Sequence, residues 1–248
     1  MVKLIGKIAG SITTLRASDI CSRLKALGDR KRALMVQRFF KTAPGEYGEG
    51  DVFVGLRAPD IRKLAKTYQA LPLSELIQLL KSSIHEARLL ALLILVRAYT
   101  QGNAVLQGQI YRLYLRNTRF INNWDLVDVS AAHIVGSYLK YHDNSPLRVL
   151  AKSKLLWDRR ISIMATFHYI KRGEFSEILH IAKLLLKDQE DLIHKAVGWM
   201  LREIGKRDSL AEEKFLQVCY KTMPRTMLRY AIEKFPDKLR RQYLRGEI

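Results

Sequence analysis

In the run Asn122-Asn123-Trp124-Asp125-Leu126-Val127-Asp128, the indole of Trp124 and the carboxylate of Asp128 are four residues apart. On a helix that spacing puts both on one face. A carboxylate beside an aromatic surface is suited to stabilising positive charge, the ring by cation–π attraction and the acid by its own charge. A second indole lies in Lys195-Ala-Val-Gly-Trp199-Met-Leu-Arg202, where Lys195, Trp199 and Arg202 share a face at i, i+4 and i+7. A tryptophan stripe belonging only to a core would continue with Leu or Ile; these two continue with charge. Trp157 has no such setting beyond Arg160 and reads as packing.

These residues sit in a recurring half-helix, a charged residue followed by a small or apolar patch. The copies are Arg88-Leu-Leu-Ala91, Asp128-Val-Ser-Ala131, Arg160-Ile-Ser-Ile163, Lys195-Ala-Val-Gly198 and Arg229-Tyr-Ala-Ile232. They recur every ~32–40 residues, the period of helix–turn–helix arrays of the HEAT or armadillo kind. Apolar spacing is helical nearly throughout, as at Leu76, Leu79 and Leu80 or Leu179, Ile181, Leu184 and Leu185. Val52-Phe53-Val54 is the one β-leaning scrap, and it falls in a loop. The expected fold is all-α: an α-solenoid of HEAT-like repeats, curved, with a basic concave face. Residues 17–248 read as one domain, and residues 1–16 as an N-terminal extension or first helix.

The sequence of 248 residues carries 43 Lys+Arg against 24 Asp+Glu, a net charge of +19, with 48% apolar residues. That apolar share supports a core and excludes a disordered basic tail. Such a charge opposes compaction by self-repulsion, which points to an acidic partner, nucleic acid first. Cations at 88, 160, 195 and 229 would then line one surface with the single carboxylate Asp128 among them, a row suited to a phosphate backbone. Cys21 and Cys219 rule out a disulfide framework or a cysteine zinc site, and the histidines form no HExxH. No metal and no cofactor are expected. No uncharged apolar run reaches about 18 residues, so no membrane span is expected, and the chain reads as intracellular and cytoplasmic. The loop Pro44-Gly45-Glu46-Tyr47-Gly48-Glu49-Gly50-Asp51 looks like a phosphate cradle but lacks the Gly-Lys-Ser/Thr ending, and its acids would repel phosphate. It reads as a Gly-rich turn before a helix that starts at Pro59.

Three motifs in order, Asn-Trp124-Asp-Leu-Val-Asp128, Leu-Trp-Asp-Arg-Arg160 and Lys-Ala-Val-Gly-Trp199-Met-Leu-Arg202-Glu, together with the Gly-Glu-Tyr-Gly-Glu-Gly-Asp loop, resemble the AlkD-type alkylpurine DNA glycosylases. The resemblance covers roughly residues 17–240. It implies a HEAT-like fold cupping duplex DNA and excision of cationic N3- and N7-alkylated purines. It further implies Asp128 as the carboxylate, Trp124 and Trp199 as the aromatic residues against the deoxyribose, and Arg160 as a backbone-binding arginine. Lys195, Arg202, Arg88 and Arg229 are added here as DNA-binding candidates from the repeat and from the charged helix face.

The chemistry is coherent apart from the resemblance. Glycoside hydrolysis usually takes two carboxyls, one of them protonating the leaving group. An alkylated purine is already cationic and leaves neutral, so one carboxylate suffices to stabilise the oxocarbenium-like sugar and orient water. Activity is therefore expected on cationic lesions and little on neutral ones. A lyase step would need an amine nucleophile; no lysine stands out as desolvated, so a monofunctional enzyme is expected. Its expected partner, double-stranded DNA, is what the resemblance implies, and a monomer is expected. Two other readings stay open. A non-catalytic nucleic-acid-binding module would make Asp128 dispensable, and a protein-interaction scaffold would fit a surface of mixed sign better than +19.

Overall fold

A computed structural model describes residues 15–248. The expectation for residues 1–16 therefore lies, for residues 1–14, outside the described residues; Leu15 and Arg16 lead into the first helix. The chain divides after Ser130 into two compact units, each taken by itself.

The first unit holds α1 (Ala17–Ala26), α2 (Arg30–Phe39), α3 (Ala58–Thr67), α4 (Leu73–Leu80), α5 (His85–Gln101), α6 (Ala104–Arg116), a 3-10 turn at Thr118–Phe120, and α7 (Trp124–Asp128). The starts follow from capping chemistry. The Asp29 side chain accepts from the Arg32 N–H at 3.1 Å and Asn103 from Leu106 at 3.0 Å, satisfying donors that a helix end otherwise orphans. Pro59 occupies the first turn of α3, where its missing N–H is no loss. The centre of the unit is α5, which packs on α1, α3, α4, α6 and α7. Every residue from His85 to Leu92 is buried. A helix buried all round is ordinarily apolar all round; α5 instead carries His85, Glu86 and Arg88 in its first turn. Among the described residues there is no strand; Val52 makes a single parallel bridge to Ile84.

The second unit opens on a π-helical turn, Ala132–Gly136, running into α8 (Ser137–Leu139). There follow α9 (Ser145–Ala151), α10 (Leu156–Ala165), α11 (Phe167–Ile170), α12 (Ser176–Leu184), α13 (Asp191–Gly205), α14 (Ser209–Cys219), α15 (Arg225–Ala231) and α16 (Asp237–Arg245). Here α13 is central, packed on α10, α12, α14 and α15. Gly198 permits the close approach of α15: a Cβ there would lie 2.4 Å from the Met227 carbonyl oxygen and 2.5 Å from the Tyr230 Cβ.

Successive helices pack as pairs at α4–α5, α9–α10 and α12–α13, as in the helix–turn–helix repeats of an all-α, solenoid-type fold. The charged residue that opens each of the five copies of the sequence motif lies on a helix. Arg88 is on α5, Asp128 ends α7, Arg160 is on α10, Lys195 on α13 and Arg229 on α15.

Candidate active site

Trp124 and Asp128 begin and end α7, one face of a five-residue helix, and both are half-buried. A helix so short has almost no internal hydrogen bonding to fix its direction, so its surroundings must. Asn123, fully buried, caps it: its side-chain oxygen accepts from the Trp124 N–H at 2.8 Å, and its amide donates to Asp51 Oδ2 at 3.3 Å. The amide of Asn122 also points to Asp51, 3.4 Å from Oδ1. Asp51 thus anchors the approach to α7 from the Gly-rich loop.

Behind α7 lies a line of buried ionisable groups. His85 Nδ1 is 2.9 Å from Asp51 Oδ2, and His85 Nε2 is 2.8 Å from Asp125 Oδ2 on α7. The guanidinium of Arg88 donates to Asp51 Oδ1 and to the Ser82 carbonyl oxygen. His85, Asp51 and Arg88 are 1%, 4% and 4% exposed, so these charges are held by one another rather than by water. Burial would raise the Asp51 carboxyl, but the hydrogen bond with His85 and the charge of Arg88 hold it below the usual carboxylate range. The two acids bond opposite ring nitrogens and so do not converge; among the described residues no cluster of three or more His, Cys, Asp or Glu is placed to hold a metal ion.

Aromatic rings make a second layer. Phe53 stacks on His85 at 4.3 Å, Phe40 on Phe53 at 5.0 Å, and Trp124 on Phe40 at 5.1 Å with 8° between the planes. Phe39 meets Trp124 edge-on at 6.1 Å. The Gly-rich loop is no phosphate cradle: the N–H groups of Val54, Gly55 and Leu56 all donate to the buried Glu86 carboxylate, at 2.8–3.2 Å. An internal anion already occupies that nest of amides.

In the second unit, Trp199 is half-buried on α13 and its indole N–H donates to Glu203 Oε1 at 3.3 Å. Phe167 lies 6.3 Å from it, with the Lys171 ammonium 4.8 Å and the Arg207 guanidinium 6.0 Å from the Phe167 ring centroid. Burial, then the charges of Arg172 and Arg207, lower the pKa of Lys171. Lys171 is itself exposed, and this cationic environment is assembled from α11, α13 and the residues just after them. Trp157 is half-buried on α10.

The candidate cations meet different fates. Arg88 departs from its expected place facing DNA: it is buried and paired with Asp51, because the second helix of its pair is the hub of the unit and its first turn lies inside. Arg160 is also buried and donates to the Leu192 carbonyl oxygen, in the first turn of α13, at 2.6 Å. Lys195 pairs with Asp191 at 2.7 Å, and Arg202 pairs with Glu233. Arg229 is exposed on α15. One position in the repeat therefore spans core to surface.

His85, Asp51, Asp125, Phe39, Phe40 and Phe53 escape a reading of the sequence motifs. One signal was available: His85, Glu86 and Arg88 open a helix whose remaining first half is apolar, and polar groups so placed must be buried and partnered.

The model of the DNA alkylation repair enzyme family matches residues 20–235. A solved structure described as a predicted DNA alkylation repair enzyme from Enterococcus faecalis superposes with a TM-score of 0.65 at 16% identity, over 85% of this chain and 97% of that one. At that identity the likeness is one of fold. No curated protein matches the chain.

Proposed function

The chain belongs to the family of DNA alkylation repair enzymes, and we propose that it is a monofunctional, monomeric, intracellular glycosylase that excises cationic N3- and N7-alkylated purines from duplex DNA. Residues 17–248 act as one repeat domain with a basic concave face toward the duplex. The observation that carries this reading is α7: an indole and a carboxylate on one half-buried face, its first turn held by a buried network. Asp128 stabilises the sugar as it becomes oxocarbenium-like and orients the attacking water; the departing base, already cationic, needs no acid. Trp124 presents its π-face to that developing charge, and the resemblance implies the same role for Trp199. Lys195, Arg202 and Arg229, less buried, hold phosphates, and the resemblance implies the same of Arg160; Arg88, sealed against the Asp51 carboxylate, serves the fold.

Asp128→Asn keeps shape and helix, so DNA affinity is retained. Excision of N7-methylguanine from a duplex under single-turnover conditions falls by about two orders of magnitude, about 2.7 kcal/mol. Trp124→Ala and Trp199→Ala each lose less, and their effects do not add to that of Asp128. Equal rates for Asp128→Asn and the parent would move the assignment to a non-catalytic binding module; no released base from the parent would remove the glycosylase reading. Borohydride traps no covalent enzyme–DNA adduct; an adduct that disappears in Lys171→Met would identify a lyase.

A further inference from the structure

We infer that His85 is a positioning residue of the proposed glycosylase, an imidazolium clamped between Asp51 and Asp125 that sets the direction of the helix bearing Trp124 and Asp128. The inference rests on the glycosylase reading only for its effect on excision.

The geometry requires two donors on one ring. Each ring nitrogen lies within 2.9 Å of a carboxylate oxygen. A neutral imidazole has one N–H, so it would set a lone pair against one of the two anions. The extra proton does not belong on Asp51, which Arg88 and the amides of Asn122 and Asn123 hold as the anion. With His85 protonated, two cations and two anions balance, Arg88 and His85 against Asp51 and Asp125. The groups facing the ring are Asp51 from the loop, Asp125 from α7, Arg88 one turn along α5, and the stacked face of Phe53 with Phe40 tilted against it. Glu86 is turned away to the amides of residues 54–56.

The electrostatics of the site agree. Burial alone would lower the His85 pKa, but its hydrogen bonds to Asp125 and Asp51 outweigh burial and raise it above the ordinary value. The clamp is complete below that raised pKa and opens as pH climbs through it, when one N–H is lost. Asp51 also holds the residues before α7 through Asn122 and Asn123, so a single carboxylate fixes the cap and, through His85, the first turn. A small rotation of a five-residue helix displaces both Trp124 and Asp128, and a misplacement near 1 Å can lower a rate by about 100-fold.

The test uses the full chain labelled with 15N at histidine. Both ring nitrogens of His85 should be protonated at pH 6.5, where half of a free imidazole is neutral, with a midpoint above that ordinary value of ~6.5; a single-tautomer neutral ring at that pH overturns the proposal. In a Trp157→Phe/Trp199→Phe background, the emission of Trp124 should titrate with the same midpoint and lose that titration in His85→Gln. This readout stands even if the parent releases no base, which would sink the glycosylase reading alone. On N7-methylguanine duplex, His85→Gln should excise about 10- to 100-fold more slowly with DNA affinity within about twofold, and the parent rate should decline above the His85 midpoint. Asp125→Asn, which keeps an acceptor for Nε2, is the milder variant: it should move that decline to lower pH. An unshifted pH profile in Asp125→Asn, or parental rate and emission in His85→Gln, overturns the clamp.

Discussion

The Phe40 ring lies parallel to the Trp124 indole, centroids 5.1 Å apart, so the aromatic face proposed to meet the sugar is itself backed by an aromatic face. The ring beneath holds the indole plane by stacking, worth about 0.5–1.5 kcal/mol beyond area burial. Phe40→Leu keeps the apolar volume and loses the stack. It is expected to reduce stability by about 1 kcal/mol in chemical denaturation and to slow excision, while Phe40→Tyr restores both. Parental excision by Phe40→Leu would show that the stack does not orient Trp124.

Arg88 and Arg229 occupy the same repeat position at opposite depths. Removing the buried cation leaves Asp51 without its guanidinium, and breaking such a pair typically loses about 3–5 kcal/mol. Arg88→Met should therefore lower the denaturation midpoint strongly. Arg229→Ala should change stability by no more than about 0.5 kcal/mol yet flatten the slope of log affinity against log salt by about 0.9. A flat salt dependence in the parent would contradict the proposed basic surface toward DNA.

Glu212, 2% exposed on α14, is pushed up to about 8 by burial, with the charge of Glu213 adding. In the unfolded chain this carboxyl ionises near ~4.3; in the folded one it keeps its proton. The unfolded state therefore binds fewer protons between those values, and stability falls as pH rises from ~4.3 toward 8. Glu212→Gln should remove that slope and, at pH 8, stabilise the chain by roughly 4–5 kcal/mol relative to its effect at ~pH 4. Melting at pH 5 and pH 8 checks it: equal gains at both would mean the side chain is ionised in the fold.

His168, buried on α11, behaves with the opposite sign. Burial, then the charges of Arg172 and Lys171, lower its pKa to about 4. The unfolded chain takes up a proton near ~6.5 and the folded one does not until about 4, so stability is lost as pH falls through that window. The loss should approach roughly 2–3 kcal/mol, and His168→Gln should lack it. An unchanged acid slope in the variant would place the titration elsewhere.

Local periodicity alone determined the all-α, repeating character of the chain and the shared face of Trp124 and Asp128. Those features depend on neighbours three, four or some 35 residues away in a repeating chain. Net charge, a property of composition, indicated an acidic partner. Depth was decided elsewhere. Arg88, Lys195 and Arg229 look alike as letters, yet one is sealed against Asp51, one is half-buried beside Asp191 and one is exposed. The His85 line joins residues 34 and 40 positions apart, from the Gly-rich loop, α5 and α7, with no period to announce it. Only packing brings them together. Burial in a low-dielectric interior leaves each charge no alternative to its partner, so the network exists because the tertiary structure excludes water from it.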